Sequence, residues 1–99
     1  MPKLLFVCTA NRCRSPMAER LFIRLLESRK EDLTQWQVSS AGTWAVDDIP
    51  PDEKLISTMD EFNINIRDHR SRMLTKSIIN RQDLILVMEK NHLEALRFE

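Results

Sequence analysis

One short segment near the start of the chain gathers thiol, guanidinium and hydroxyl groups: Cys8-Thr9-Ala10-Asn11-Arg12-Cys13-Arg14-Ser15. Five residues separate Cys8 from Arg14, and a loop of that length can curl so that successive backbone amides point at a phosphate dianion. Arg14 can then bind two phosphate oxygens at once. The same positive field favours the thiolate of Cys8, and Ser15 can donate a hydrogen bond to the sulfur.

Such a thiolate can perform nucleophilic chemistry at phosphorus. Attack of Cys8 in line with the leaving group would give a phosphocysteine intermediate, which water then hydrolyses. The loop amides and Arg14 would stabilise the equatorial oxygens. We therefore expect Cys8, Arg14 and Ser15 to be catalytic, in a phosphate-binding loop.

A strand before the loop and a helix after it must position these groups. Residues 3–7 form a short apolar run, and from Pro16 onward the apolar residues share one helical face. Ser15 and Pro16 suit the N-cap and the first helical position. The predicted apolar face comprises Met17, Ala18, Leu21, Phe22, Leu25 and Leu26.

The rest of the chain continues the alternation of strands and helices. The pattern predicts a strand at 35–39, a loop at 41–50, helices at 51–62, 75–80 and 90–98, and a strand at 83–88. The apolar face of the second helix uses Leu55, Ile56, Met59 and Phe62. The run at 83–88 is typical of an interior parallel strand covered on both faces. We predict an α/β fold with a short parallel sheet, whose ligands bind beyond the carboxyl ends of the strands.

Length and composition limit the classes of function. The 99 residues suit a single domain spanning 1–99. Fifteen basic residues balance fifteen acidic ones, so we expect neither nucleic acid nor a membrane as partner. No apolar run approaches the roughly 20 residues that span a bilayer. Two closely spaced cysteines favour reduced thiols, and we expect a cytoplasmic protein.

Four segments together resemble one protein family. VCTANRCRSPMAE at 7–19 looks like the signature of low-molecular-weight protein tyrosine phosphatases and their arsenate-reductase relatives; SAGTW at 40–44, HRSR at 69–72 and DLILVMEKNHLEAL at 83–96 resemble the bacterial members in the same order. The resemblance implies a three-layer α/β/α, flavodoxin-like fold with strand order 2-1-3-4. It also implies hydrolysis of phosphotyrosine proteins or small aryl phosphates, with no cofactor and no metal.

The resemblance also implies a role for individual residues. Cys8 becomes the nucleophile, Arg14 the phosphate clamp and Ser15 the thiolate stabiliser. The substrate-binding residues would be Thr9, Ala10, Asn11, Arg12, Cys13 and Trp44. Asn11 and His69 would support the loop, and Cys13 would form a reversible disulfide with the nucleophile.

The chain departs from the family pattern in two respects. Ala10 stands where family members usually have glycine, which is harmless only if that residue has a negative φ. Family members also carry an Asp-Pro loop whose aspartate protonates the leaving group, and this sequence has no Asp-Pro pair. Asp47 and Asp48 are alternative acids. Without the family's last strand and helix, the strand at 83–88 becomes an exposed edge, which can join two copies of the chain in a homodimer.

Several other interpretations stay open. The protein could be an arsenate reductase, or a catalytically impaired module that binds phosphate or phosphotyrosine. A zinc site could use Cys8, Cys13, His69 and His92, although their spacing fits metal sites poorly. His92 otherwise reads as a solvated helix residue, and Trp44 could simply cover the core. The three arginines Arg67, Arg70 and Arg72 read as a solvated or ion-paired connector.

Overall fold

The computed structural model describes residues 2–97, which fold around a parallel sheet. The strands are β1 (Lys3–Cys8), β2 (Gln37–Gly42) and β3 (Leu84–Val87), in the order β2-β1-β3. The helices are α1 (Arg14–Ser28), α2 (Glu53–Glu61), α3 (Lys76–Asn80) and α4 (Lys90–Arg97), with a 3-10 turn at Leu33–Gln35. The α/β prediction is confirmed, and this order agrees with the 2-1-3 part of the expected topology. Phe98, the predicted end of the last helix, lies outside the described residues.

Helices cover both faces of the sheet because successive side chains of β1 point in opposite directions. Leu5 and Val7 are fully buried in one cluster with Ile78 of α3 and Leu96 of α4. On the opposite face the ring of Phe6 lies 6.0 Å from the ring of Phe22 on α1. The central strand is therefore enclosed by two helical layers, and this places Cys8, at its end, on the α1 side.

A second apolar cluster joins α2 to the segment that follows it. Leu55 and Met59 of α2 are buried together with Ile64 and Ile66, and Met17 of α1 packs against them. Asp52 caps α2 by accepting a hydrogen bond from the amide of Lys54. No helix among residues 2–97 is long and apolar enough to span a lipid bilayer.

Three predicted details of the helices and strands are wrong. Leu21 and Leu25 are 41% and 46% exposed, and Phe62 is 54% exposed, so the buried faces of α1 and α2 are narrower than their sequence patterns indicate. Strand β2 is Gln37–Gly42 rather than 35–39, because its pairing with all six residues of β1 carries it into the predicted loop.

Strand β3 is not an interior strand of the described sheet. It pairs with β1 on one side only, and Leu84 and Leu86 are 55% and 39% exposed. The unbroken apolar run at 83–88 predicts an interior strand that is covered on both faces. Within residues 2–97, however, β3 is an outer strand of the sheet. Among the described residues, β3 therefore forms the exposed edge that the family resemblance led us to expect.

Candidate active site

The chemically active segment connects the end of β1 to the start of α1. Cys8 is the last residue of the strand and is buried, whereas Cys13 at the helix N-terminus is exposed; both are free thiols. The helix begins at Arg14, so the N-cap is Cys13, and no side chain caps it. The prediction that Ser15 is the N-cap is wrong. Its hydroxyl is used elsewhere, because it is buried against the sulfur of Cys8.

A relay of hydrogen bonds ends on that sulfur, and its direction can be assigned. The amide of Arg72 donates to Oδ1 of Asn11 (3.0 Å), so the side-chain nitrogen of Asn11 faces Ser15 and donates to its Oγ (2.8 Å). Since Oγ of Ser15 accepts that bond, its own hydrogen is free to point at Sγ of Cys8, 2.9 Å away. The amide of Asn11 also donates to Sγ (3.3 Å). Two donors therefore converge on the sulfur.

The alanine in the loop is accommodated without a left-handed backbone. Ala10 is not among the residues with positive φ; the left-handed residue of the loop is Asn11, at φ 58°. Asparagine tolerates this conformation better than most residues. Replacement of the family's usual glycine by Ala10 is therefore sterically harmless.

The glycine that this structure requires is Gly42, at the end of β2. A Cβ atom there would lie 2.3 Å from the carbonyl oxygen of Thr9 and 3.0 Å from the amide nitrogen of Asn11. The close approach lets the amide of Thr43 donate to the Cys8 carbonyl and the amide of Trp44 donate to the Thr9 carbonyl, each at 2.9 Å. Gly42 thus allows the second strand to hold the loop by its backbone.

Two histidines contact the loop from inside the protein. His69 is 7% exposed, and its Nε2 donates to the carbonyl oxygen of Asn11 at 2.8 Å. His92 is fully buried, and its Nε2 lies 2.9 Å from Oγ1 of Thr9. The prediction that His92 is a solvated helix residue is wrong, because the first turn of α4 lies against the loop.

The loop surrounds a cavity of about 260 Å³. It is lined by Cys8, Thr9, Ala10, Arg12, Cys13, Arg14 and Asp52. Arg12 does not extend freely into solvent, since its Nε donates to the carbonyl of Pro50 (2.9 Å) while its own carbonyl accepts from the amide of Asp52 (3.1 Å). Asp52, rather than Asp47 or Asp48, is the aspartate at the cavity. In the sequence, the position of Asp52 indicates only the start of a helix and not a place at the cavity.

Arg14 is paired with Glu89, a partner that nothing in the sequence indicates. One guanidinium nitrogen of Arg14 donates to Oε1 of Glu89, and both side chains are about half exposed. The hydrogen bond from Arg14, with its positive charge, lowers the pKa of the Glu89 carboxyl below its ordinary value. Glu89 is therefore ionised near neutral pH and occupies one edge of the guanidinium, leaving other N–H groups of Arg14 for a ligand.

The remaining sequence candidates divide between the cavity rim and the scaffold. Trp44 is 82% exposed beside the loop, so the alternative that it covers the core is wrong. Arg67 is ion-paired with Asp60, as expected for a connector. Arg72, in contrast, is half-buried and donates to the Ser40 carbonyl, and burial lowers the pKa of the Arg72 guanidinium. Within residues 2–97 no group of three or more His, Cys, Asp or Glu side chains is arranged to hold a metal ion.

A buried thiol lies at the carboxyl end of a parallel strand, beside a helix N-terminus and with an arginine six residues further on. This arrangement is typical of cysteine-based oxyanion-binding sites. The comparisons with known proteins agree with that class. A family model described as low molecular weight phosphotyrosine protein phosphatase matches residues 3–99. The chain belongs to this family.

Individual relatives and structures give the extent of the similarity. The chain is 39% identical over 93 residues to a putative low molecular weight protein-tyrosine-phosphatase of Klebsiella pneumoniae, covering 94% of this chain and 60% of the relative. It superposes on Wzb of Vibrio vulnificus in complex with benzylphosphonate with a TM-score of 0.85 at 37% identity, covering 98% and 64% of the two chains. For a mutant of the YwlE arginine phosphatase with a phosphorylated active-site serine, the TM-score is 0.89 at 31% identity, with 97% and 60% covered. The chain thus spans about 60% of the length of this relative from Klebsiella pneumoniae.

Proposed function

We propose that this chain binds aryl phosphate monoesters, including phosphotyrosine, in the 8–15 loop and hydrolyses them through a phosphocysteine at Cys8. The observation that carries the proposal is the hydrogen-bond relay that ends on the Cys8 sulfur, with Ser15 as its last donor. A buried hydroxyl aimed at a buried sulfur would stabilise the thiolate, both as the attacking group and as the group that leaves phosphorus in the second step. Family membership supports the same chemistry.

The reaction has two steps. In the first, a lone pair of the Cys8 thiolate forms the S–P bond while the P–O bond to the aryl group breaks, releasing phenolate that takes up a proton. In the second, water attacks phosphorus, the S–P bond breaks, and inorganic phosphate leaves with the thiolate restored. Arg14 and the loop amides would hold the equatorial oxygens in both steps.

The protonation of the leaving group should limit this chain. Removal of a general acid typically costs on the order of 10² to 10⁴ in rate, and the 99 residues contain no Asp-Pro pair. Asp52 lines the cavity and is the acid best placed to assist. We therefore expect p-nitrophenyl phosphate, whose phenolate needs little protonation, to be turned over faster than phenyl phosphate.

The test is hydrolysis of p-nitrophenyl phosphate by the parent chain, Cys8→Ser and Cys13→Ser, with orthovanadate as inhibitor. We expect turnover that is inhibited by orthovanadate, persists in Cys13→Ser and is reduced to background in Cys8→Ser. Turnover that survives in Cys8→Ser would contradict the proposed nucleophile. Asp52→Asn should lower the rate with phenyl phosphate more than with p-nitrophenyl phosphate if Asp52 donates the proton.

The same experiment separates the two alternative functions. A folded parent chain that binds orthovanadate without turnover would be a binding module rather than a phosphatase. Reduction of arsenate coupled to a thiol reductant, without hydrolysis of the aryl ester, would indicate an arsenate reductase.

A further inference from the structure

A fully buried histidine lies against the phosphate loop from a helix that carries none of the predicted catalytic residues. His92 belongs to the first turn of α4, whose neighbouring residues Lys90 and Asn91 are exposed. An imidazole rarely reaches zero exposure without hydrogen-bond partners on its nitrogens, and both ring nitrogens of His92 have one.

The two partners of His92 determine which nitrogen carries the proton. The backbone amide of Glu89 donates to Nδ1 at 3.0 Å, so Nδ1 is unprotonated and the hydrogen lies on Nε2. Nε2 therefore donates to Oγ1 of Thr9 at 2.9 Å. The amide of His92 in turn donates to the Glu89 carbonyl at 3.1 Å. The ring thus accepts the amide that precedes α4, as the Glu or Gln of a capping box does, while the return bond goes to the Glu89 backbone carbonyl rather than to a capping side chain.

Burial and the positive charge of Arg14 favour the neutral form of His92. Burial, followed by the positive charge of Arg14, lowers the pKa of His92, and the Glu89 carboxylate opposes them more weakly. A protonated ring could not accept the Glu89 amide, so ionisation would break the bond at Nδ1. Near neutral pH the ring is thus a fixed connection between the β3–α4 junction and Thr9.

That junction contacts the loop at two places. The His92 ring holds Thr9, the residue after the nucleophile, while the Glu89 side chain holds Arg14 at the other end of the loop. Because the Glu89 amide is bonded to the ring, the position of its carboxylate depends on the ring as well. One imidazole therefore links both ends of the oxyanion-binding loop.

We propose that His92 is a positioning residue of the phosphate loop, which holds Thr9 through Nε2–H and Glu89, with its partner Arg14, through Nδ1. The proposal rests on the proposed function of the loop as an oxyanion site. It assigns His92 no contact with the ligand: its effect passes through Thr9 and Arg14.

The test measures binding of inorganic phosphate, at a pH near 7.5 by titration calorimetry, so that it does not depend on turnover. His92→Phe keeps a ring but removes both hydrogen bonds, and Thr9→Val removes the hydroxyl partner with little change in shape. Thr9→Val should weaken phosphate binding about 3- to 10-fold, the effect of losing one net hydrogen bond, and His92→Phe, which loses both bonds, should weaken it at least as much. Asn91→Ala, an exposed change in the same helical turn, is the matched control and should bind like the parent.

The double variant distinguishes a positioning role from a general loss of structure. If the contact acts as proposed, Thr9→Val with His92→Phe binds phosphate no more weakly than His92→Phe alone, because His92→Phe has already removed the bond to Thr9. Thr9→Ser should recover affinity relative to Thr9→Val, since it keeps the hydroxyl. Should His92→Phe fail to fold, His92→Leu, which also removes both hydrogen bonds of the ring, replaces it in the same double-variant comparison.

Three results would overturn the proposal, and only the last of them also removes the proposed function. Parent-like phosphate affinity in folded His92→Phe, or fully additive losses in the double variant, would refute the positioning role while leaving the proposed function intact. Absence of phosphate binding in the folded parent would remove the proposed function and this proposal together.

Discussion

Replacement of Gly42 by alanine should separate the phosphate loop from β2. The added Cβ would lie 2.3 Å from the carbonyl oxygen of Thr9, whereas ordinary contacts begin at 3.4 Å, so the two backbones must move apart by about 1 Å. Neither neighbour can yield by rotating a flexible side chain, because the oxygen of Thr9 and the amide nitrogen of Asn11 both belong to the backbone. The backbone at Gly42 has no positive φ, so the effect is steric rather than conformational.

The expected cost has two parts. Overpacking in a rigid site costs about 1–3 kcal/mol, and loss of the bond from the Trp44 amide to the Thr9 carbonyl adds roughly 1 kcal/mol. We therefore expect Gly42→Ala to lower the free energy of unfolding by about 2–4 kcal/mol, a large share of the roughly 5–15 kcal/mol typical of a small domain. A displacement of about 1 Å in the loop should also reduce turnover on the order of 10²-fold.

Urea denaturation and p-nitrophenyl phosphate hydrolysis measure the two effects of Gly42→Ala separately. Val46→Ala serves as the control, because this side chain lies in the same connection but is 69% exposed, and its removal should change the free energy of unfolding by less than about 0.5 kcal/mol. If Gly42→Ala unfolds at the same urea concentration as the parent and retains its activity, then the loop and β2 do not approach each other this closely.

Four further changes test other parts of the structure. Asn11→Ala should lower the free energy of unfolding by roughly 2–4 kcal/mol in urea denaturation, because it leaves the Arg72 amide without its hydrogen-bond acceptor and places alanine at φ 58°. A loss under about 0.5 kcal/mol would contradict this. The unfolding free energy of the parent should fall as the pH drops below about 6.5, because the unfolded chain protonates His92 before the folded one does, and carboxylates such as Glu89 contribute only below about 4.5; His92→Phe should lose the upper part of this dependence. Hydrogen peroxide should inactivate the parent in a way that dithiothreitol reverses, because the Cys8 sulfenic acid condenses with the Cys13 thiol to give a disulfide and water. In Cys13→Ser this partner is missing, so excess peroxide oxidises the sulfenic acid further to sulfinic acid, which dithiothreitol does not reduce; equal recovery in both would argue against the redox role. The 99-residue chain should self-associate at micromolar concentration through the β3 edge, and Leu86→Lys should suppress this in light scattering; a monomeric parent mass throughout would refute it.

The strand–loop–helix unit was predictable because its signals are local. Apolar runs, the Cys8-to-Arg14 spacing and a proline in the first turn all act within a few residues, and the structure contains those elements close to their predicted positions. The N-cap prediction failed for a physical reason: a serine hydroxyl can bond either to a helix amide or to a neighbouring sulfur, and tertiary structure decides between them. The local sequence therefore could not predict which partner the Ser15 hydroxyl would take.

The partners of the loop were less predictable because they come from distant parts of the chain. Glu89 and His92 approach Arg14 and Thr9 only after β3 pairs with β1, and their helical segment alone looks polar and solvated. Likewise Gly42 resembles an ordinary loop glycine until the register of β2 brings it against Thr9. Such contacts depend on strand register, which periodicity does not specify for buried parallel strands.

Several independent hydrogen bonds explain how Asn11, in the middle of the loop, can keep a left-handed backbone conformation. Asn11 at φ 58° is in a conformation that non-glycine residues adopt at some cost, and it persists only where the surroundings over-determine it. Here the residue is held at its carbonyl by His69, at Oδ1 by the Arg72 amide and at Nδ2 by Ser15. If the loop binds an anion as proposed, supports of this kind would let its amides meet the anion without reorganising, and that is the condition under which backbone dipoles stabilise developing charge most effectively.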